Sequence, residues 1–385
     1  MATLRHLLGG AATTGGQAQF LGRPWGAAAL RVLAFVAVMA AVQLAFCAAG
    51  KAYCLTQLTM AIYYAVAVIG VALVMGCAGQ VSLGHGAFFA VGGYTSALLT
   101  TCDLSAFQQA AWAAWLQSCR VLVVRPDLYG GQVMSVSPWA AFVAAMLLTL
   151  VVACVIGYPS LRLRGHYLAM ATLGFGLIVH KIILGSALLG AADGITGVPA
   201  WRLGAGLALT GKAPDRVANY YLACGLVLLL LVVLGNLVRS RVGRALQAIH
   251  DRELAAAVMG VNTAVYKLKA FVFSALLAAM AGVFLTHYSG GIGPSEAGVL
   301  KSVRYVALAA AGGMANFWGV AAVSIVINYF SLRGWFGSYD QAVFGALLIL
   351  IISLTPEGPL QPLGAWLRSL ASRWFAKREA AHGPA

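Results

Sequence analysis

The chain is most informative at AGQVSLGHGAFFAVGGYTSALL, residues 78–99. The second half of this stretch is apolar enough to form a helix in a lipid bilayer, whereas the first half contains Gln80, Ser82, His85 and several glycines. Inside a membrane, non-helical backbone is tolerated only where protein or a water-filled cavity shelters it. The stretch therefore predicts a membrane helix that starts with a bent, sheltered segment.

The composition of the whole chain agrees with a membrane location. Of its 385 residues, 61% are hydrophobic and only 9% are charged, so the apolar surface exceeds what one soluble core could bury. A crossing of the roughly 30 Å hydrocarbon layer takes about 20 helical residues. We predict an all-α, polytopic integral membrane protein of about ten transmembrane helices. The expected crossings lie near 27–49, 57–77, 82–101, 138–158, 166–190, 219–238, 270–288, 297–313, 316–333 and 341–356.

The distribution of charge predicts the orientation and the domains. The 25 Lys and Arg residues outnumber the 10 Asp and Glu residues, and basic loops favour the cytoplasmic side of a membrane protein over binding of nucleic acid. Ten crossings with both termini in the cytoplasm place the larger share of basic residues inside. We expect a cytoplasmic segment at 1–26, a transmembrane domain at 27–357 and a basic cytoplasmic tail at 358–385.

The loop between the sixth and seventh crossings, residues 239–271, has the pattern of a short helix. It reads RSRVGRALQAIHDRELAAAVMGVNTAVYKLKAF, and Leu254 and Val258 fall on one apolar face at helical spacing. Asp251 suits the N-cap of this helix, and Gly260 suits a left-handed end. The loop is predicted to dock on another surface; an amphipathic linker that lies on the membrane is the alternative.

Within that loop, GRALQAIHDRELAAAVMGVN resembles the EAA-type coupling loop of ATP-binding-cassette importer permeases. Together with GQVSLGHGAFFAVGGYTSALL, LRLRGHYLAMATLGFGLIV, DGITGVP and AGGMANFWGV, it is similar to LivM-type permeases of the branched-chain amino acid transport family. The resemblance makes 239–269 a cytoplasmic coupling loop. It assigns contact with an ATPase to Arg244, Glu253, Ala255, Ala256 and Gly260.

The resemblance also implies partners and a function. A LivH-type permease would complete a heterodimer, two cytoplasmic ATPases would bind ATP and Mg, and a periplasmic binding protein would deliver the substrate. The chain would be a transport subunit without enzymatic activity in the bacterial inner membrane, and it would move branched-chain amino acids inward by alternating access. Urea, short amides and aromatic acids are the alternative cargoes.

Several motifs are missing from the sequence. No G-x-x-x-x-G-K-[ST] phosphate loop occurs, so ATP is expected on another chain and no cofactor on this one. The acidic residues fall in loops, tails or helix margins, which disfavours an ion-coupled carrier, because such carriers place carboxylates within helices. No metal-ligand spacing or catalytic triad is evident, so we expect neither a metal site nor catalytic residues.

The candidates for lining the pore or gate lie mainly in the opening stretch. They are Gly79, Gln80, Ser82, Gly84, His85 and Gly86, for which plain interhelical packing is the alternative. Lys181 is a further candidate, either as a ligand for a carboxylate or as a side chain that snorkels to the external interface. Lys301 and Arg304 are expected on the external side, with the eighth helix starting nearer Val306.

The two largest external loops give weaker signals. The loop at 102–138 predicts a short interfacial helix because of its tryptophans. The loop at 191–219 is rich in glycine and turn formers and predicts irregular structure. Cys102 and Cys119 share the first of these loops, where a disulfide and two free thiols are both compatible with the sequence.

Overall fold

The helices follow the apolar runs of the sequence. The computed structural model describes residues 25–105, 117, 121–126, 132–160, 166–204, 206–314, 316–335, 337–339, 342–346 and 349. Its helices are α1 (Trp25–Ala48), α2 (Cys54–Ala78), α3 (His85–Thr101), α4 (Pro138–Ser160), α5 (His166–Gly185), α6 (Arg216–Arg239), α7 (Arg241–Asp251), α8 (Glu253–Val258), α9 (Thr263–Ser289), α10 (Val299–Ala311) and α11 (Phe317–Leu332). Single 3-10 turns lie at Ala187–Leu189, Pro294–Ala297 and Gly337–Tyr339.

Five helices of the described chain are long and apolar enough to cross a membrane. They are Cys54–Ala78, Pro138–Ser160, Tyr167–Gly185, Arg216–Arg239 and Thr263–Ser289. Shorter apolar helices occur at Val32–Ala48 and Phe317–Leu332. The predicted all-α membrane architecture is confirmed, whereas the exact number of ten crossings is not established. The tenth predicted crossing, 341–356, lies mostly outside the described residues, as do nearly all of the N-terminal segment and the whole basic tail.

Helix α2 forms the centre of the bundle. In its most apolar window 94% of the residues are buried, and it packs against α9, α11 and α6. A helix that is apolar all round is expected in such a position, because every face meets protein. The other crossings surround α2 and expose apolar side chains on their outer faces, as the membrane requires.

Short strands cluster at one end of the bundle, called the strand end below. Strands β1 (Leu122–Pro126) and β2 (Gln132–Val136) form an antiparallel hairpin. Strands β4 (Trp201–Gly204) and β5 (Leu207–Leu209) form a second pair, and β3 (Ile195–Thr196) pairs with β6 (Gly291–Ile292). The opposite end carries α7 and α8 and is called the α7 end.

These strands correct one prediction for the external loops. The loop at 191–219 is not irregular throughout, because β3, β4 and β5 lie within it. The interfacial helix predicted for 102–138 falls mainly on residues outside the described part of the chain. Cys102 is exposed, and Cys119 also lies outside the described residues, so their pairing stays open.

Helices α3 and α9 touch through their backbones. A Cβ atom added at Gly92 would overlap the backbone of Ala279, and one added at Gly282 would overlap the backbone of Phe89. Small residues allow this close approach, which replaces side-chain packing by direct contact between main chains. We call this contact the α3–α9 seam.

Candidate functional site

The opening stretch forms a non-helical break between α2 and α3. Helix α2 ends at Ala78, Gly79 adopts a left-handed conformation with φ 64°, and α3 begins only at His85. The predicted bend is therefore present, although the helix starts three residues later than the predicted crossing at 82. Residues 79–84 are called the break below.

The break turns back into the bundle. The side chain of His85 contacts the Ser274 hydroxyl of α9 at 2.6 Å, and that hydroxyl donates to the Gly70 carbonyl oxygen at 2.5 Å. Gly70 lies eight residues before the end of α2, which corresponds to about 12 Å of helix. Helix α3 thus begins well inside the bundle, and the break supplies the missing part of its crossing.

The polar side chains of the break are buried. Gln80 and Ser82 are almost fully buried, and among the described residues the Gln80 Oε1 and Ser82 Oγ atoms have no hydrogen-bond partner. The Leu83 amide donates to the Thr172 hydroxyl of α5 at 2.9 Å. Buried groups without partners are costly in a protein interior. The break therefore contains buried hydrogen-bonding atoms that the described part of the chain does not satisfy.

Gly84 in the break and Gly86 in the first turn of α3 lie in close contacts. A Cβ at Gly84 would lie 3.1 Å from the Thr172 carbonyl oxygen, and one at Gly86 would lie 2.6 Å from the Ser302 hydroxyl. These distances support the packing interpretation for both glycines. They leave the gate role a prediction, because a tightly packed constriction is also what a closed gate requires.

The predicted docking loop is a pair of helices rather than one. Helix α7 begins after Ser240, whose hydroxyl accepts from the Gly243 amide at 3.3 Å, and its buried side chains include Leu246 and Ile249. The sequence prediction missed this helix, although the spacing of Leu246 and Ile249 is a helical signal. Asp251 was expected to cap the following helix, but it ends α7, and that cap position belongs to Arg252.

Helix α8 presents an apolar face to solvent at the α7 end. Leu254 is 72% exposed, Val258 is 87% exposed and the following Met259 is 83% exposed. Leu254 and Val258 are four residues apart, one helical turn, and Met259 follows Val258 directly, so the three form an exposed apolar patch of the kind that marks a protein interface. Gly260 ends the segment with φ 84°, so the predicted left-handed end is confirmed. Of the other predicted coupling residues, Arg244, Ala255 and Glu253 are exposed or half-buried and Ala256 is buried.

Helices α7 and α8 are together called the docking segment below. Two contacts join it to the membrane helices. The Lys267 ammonium of α9 lies 2.6 Å from a carboxylate oxygen of Glu253. At the end of α7, the His250 ring lies against Gly79, where an added Cβ would come within 2.8 Å of Nδ1. The docking segment therefore touches the first residue of the break, a contact that the sequence gives no signal for.

The structure places Lys181 near the strand end of α5. Its side chain is exposed, and four residues separate it from the end of the helix at Gly185. That distance is about 6 Å, which a lysine side chain can span. The position favours the snorkelling interpretation and brings Lys181 close to none of the break residues.

Lys301 and Arg304 correct the predicted topology of the eighth crossing. Helix α10 begins at Val299 and not near Val306, so both basic residues lie within it. The Lys301 ammonium donates to the Tyr64 hydroxyl at 3.2 Å, which places it in the bundle beside α2 and not in an external loop. Arg304 lies over the Phe344 ring at 4.7 Å from its centroid.

The same region corrects the argument drawn from acidic residues. Glu296 does lie at a helix margin, on the 3-10 turn Pro294–Ala297, but that turn packs against α3 and α5 inside the bundle. The Tyr64 hydroxyl donates to Glu296 at 2.8 Å. A carboxylate therefore does lie within the bundle, and the acidic residues alone do not exclude an ion-coupled carrier.

The similarity of the chain to known proteins decides between these classes of transporter. Residues 53–352 match the family described as branched-chain amino acid transport system / permease component. The chain is 30% identical over 324 residues to the high-affinity branched-chain amino acid transport system permease protein LivM of Salmonella typhimurium, covering 78% of this chain and 68% of that relative. LivM of Escherichia coli K12 is 30% identical over 323 residues, with the same coverage.

A second type of permease is more distantly similar. The high-affinity branched-chain amino acid transport system permease protein LivH of Salmonella typhimurium is 23% identical over 311 residues, covering 78% of this chain and 92% of that relative. No solved structure is significantly similar to the chain. The family match over residues 53–352 includes the break, the docking segment and the helices around α2.

Proposed function

Because the chain belongs to the family of branched-chain amino acid transport permeases, we propose that it carries branched-chain amino acids inward across the bacterial inner membrane by alternating access. It is a multi-pass membrane protein and the permease subunit of an ATP-binding-cassette importer. The observation that carries the proposed mechanism is the contact between the docking segment and the break. Through this contact, a motor bound outside the membrane can act on the break.

The partners follow from the relatives and from the exposed surface of the chain. LivM and LivH are both named as permeases of one type of transport system, which indicates a pair of permeases. We propose that a LivH-type subunit completes the pore, that two cytoplasmic ATPases bind ATP and Mg, and that a periplasmic binding protein supplies the substrate. In this arrangement both termini and the α7 end face the cytoplasm.

The patch on α8 is the proposed contact with an ATPase. Burial of Leu254, Val258 and Met259 in a groove would contribute about 1.5–3 kcal/mol per side chain. The Lys267–Glu253 ion pair holds the start of α8 against α9, so α8 moves with the bundle rather than as a slack loop. A displacement of the patch by an ATPase is therefore passed on to the membrane helices.

The break is the proposed inner gate. His250 lies against Gly79, so a shift of α7 acts directly on the point where α2 ends. The backbone of residues 79–84 is non-helical, so these residues can move during gating without the loss of helical hydrogen bonds. Gln80 and Ser82 would meet water or substrate when the gate opens, which gives their unpartnered polar atoms a role.

Reconstitution of the importer tests this function. The chain would be placed in proteoliposomes with its partner permease, both ATPases and the binding protein, and uptake of labelled leucine would be measured. We expect uptake that requires ATP and persists when the proton gradient is collapsed. Uptake driven by a gradient without ATP would contradict the proposal, and competition by urea, short amides or phenylalanine in place of leucine would favour the alternative cargoes.

A further inference from the structure

Three side chains from different parts of the chain meet inside the bundle. Glu296 Oε1 accepts from the Tyr64 hydroxyl at 2.8 Å and from the Lys301 ammonium at 2.9 Å. Lys301 also donates to the Tyr64 hydroxyl at 3.2 Å and lies 4.4 Å from the centroid of the Tyr64 ring. We call these three residues the charged cluster.

The charged cluster lies near the middle of α2, a helix long and apolar enough to cross a membrane. Tyr64 belongs to α2, which runs over Cys54–Ala78. At 1.5 Å per residue, Tyr64 is about 15 Å from the strand end of this helix and about 21 Å from its other end. Charged groups at such a depth are rare and costly, and they are usually retained for function.

The hydrogen bonds of the cluster are incomplete. Glu296 Oε1 accepts both bonds, whereas Oε2 is buried and has no partner among the described residues. Tyr305, whose ring lies 6.5 Å from that of Tyr64, has a buried hydroxyl that is also without a partner there. The ammonium of Lys301 carries three donors and uses two of them here. One free acceptor and at least one free donor therefore lie side by side.

The cluster is reachable from outside the described bundle. The side chains of Lys301 and Glu296 are 26% and 13% exposed, and the neighbouring Leu300 and Val303 are exposed on the same helix. Lipid tails cannot solvate a lysine or a glutamate at this depth. The open side must therefore face a polar environment, such as a water-filled path between two permeases.

Two helices begin beside the cluster. The Gly86 amide in the first turn of α3 donates to the Ser302 hydroxyl in the first turn of α10 at 3.1 Å. The positive ends of both helix dipoles consequently lie close to Lys301, where they favour a negative group. Broken helices that begin at the midplane are a common way to hold a carboxylate in transporters.

We propose that the charged cluster is a transit site for the charged head of a zwitterionic α-amino acid. The ammonium group of the substrate binds Glu296, which has the free acceptor, and its carboxylate binds Lys301 and the adjacent helix starts. The Glu296–Lys301 ion pair must open to admit the substrate, which then forms two ion pairs of its own, one with each residue. Because the internal ion pair is lost, net binding is weak and release is fast. This inference rests on the proposed function, because it requires an amino acid as cargo.

The experiment uses the complete importer in proteoliposomes, with leucine uptake and ATP hydrolysis measured in the same sample. Glu296→Gln and Lys301→Met should each lower uptake about tenfold or more, because each leaves one substrate charge unpaired. ATP hydrolysis should stay within about twofold of the wild type, since the cluster lies far from the docking segment. Asp193→Asn and Lys212→Met are matched controls, because both residues are exposed in loops at the strand end.

A charge reversal separates substrate binding from a purely structural ion pair. The double variant Glu296→Lys/Lys301→Glu keeps a pair but moves the negative charge to the two helix starts, so uptake should remain low. Restored uptake, or unchanged uptake in both single variants, would overturn the transit site. If the neutral variants do not assemble, the test uses Glu296→Asp, which keeps the negative charge but shortens the side chain by one methylene. Wild-type uptake by the Glu296→Asp importer would reject the transit site. A wild-type complex that does not take up leucine would instead reject the proposed function.

Discussion

The contact between Gly79 and His250 allows a quantitative test of how the docking segment acts on the break. Gly79 has φ 64°, a region in which an alanine costs about 1–2 kcal/mol. Its added Cβ would also lie 2.8 Å from His250 Nδ1, well inside the contact distance of about 3.5–4.0 Å. If the break must move during transport, Gly79→Ala biases it by a factor of about 5–30.

A matched control lies just before α2, at the opposite end of this helix from Gly79. Gly50 has φ 67°, and an added Cβ there would meet nothing within 4 Å. Gly50→Ala therefore carries the same conformational cost without a neighbour and without contact with α7. We expect Gly79→Ala to lower leucine uptake per ATP hydrolysed by about 5–30-fold, and Gly50→Ala to leave this ratio unchanged.

A second variant tests whether the two residues act together. His250→Ala removes the contact through which α7 acts on the break and should by itself lower the uptake ratio. In the Gly79→Ala background it should lower the ratio by less than it does alone, because that contact is already distorted. Residues in direct contact commonly show interaction energies of about 0.5–3 kcal/mol, whereas independent sites add within about 0.5 kcal/mol. Equal uptake ratios for Gly79→Ala and Gly50→Ala, together with additive effects of the two substitutions at 79 and 250, would refute the reasoning.

Three further substitutions test other parts of the chain. Gly84→Leu should block leucine uptake while ATPase binding in pull-down assays stays normal, because its side chain would enter the contact with Thr172; unchanged uptake would leave only the packing role. Val258→Asp should abolish co-purification of the ATPases and change the thermal unfolding of the permease by no more than about 0.5 kcal/mol; retained co-purification would place the docking surface elsewhere. Lys181→Met should keep near-normal uptake, since its side chain reaches the external interface, and a complete loss of transport would instead place Lys181 on the permeation path.

The crossings were predictable because a lipid bilayer leaves the backbone few choices. An apolar run of about 20 residues in a membrane must be helical to satisfy its own hydrogen bonds. The predicted crossings at 57–77 and 138–158 accordingly agree with α2 and α4 to within a few residues. The bend at Gly79 was also predictable, since glycines and polar residues at that density do not continue a helix.

The depth of each segment could not be predicted from the sequence. Glu296 and Lys301 flank an apolar run, and in a linear sequence that position indicates an external loop. They lie inside the bundle because the chain folds back after α9, which only the three-dimensional contacts with Tyr64 reveal. The sequence prediction missed α7 for a different reason. Its apolar residues have helical spacing, but they are few and lie among arginines and other polar residues.

The contact of Gly79 with His250 was equally hidden. Neither residue carries a signal for the other, because they are far apart in the sequence and meet through a left-handed turn. The family resemblance identified the docking segment, and the glycines and polar residues of the sequence identified the break. The structure adds the contact that joins them.

The α3–α9 seam has a mechanical consequence. Two helices whose main chains touch cannot slide past each other without separating first, so they must rotate as a single rigid lever. One end of α3 is joined to the chain by the non-helical residues 79–84, and one end of α9 is joined by residues 290–298, which contain only a short strand and a 3-10 turn. The lever is thus hinged at the start of α3 and at the end of α9, and it can tilt without unwinding either helix.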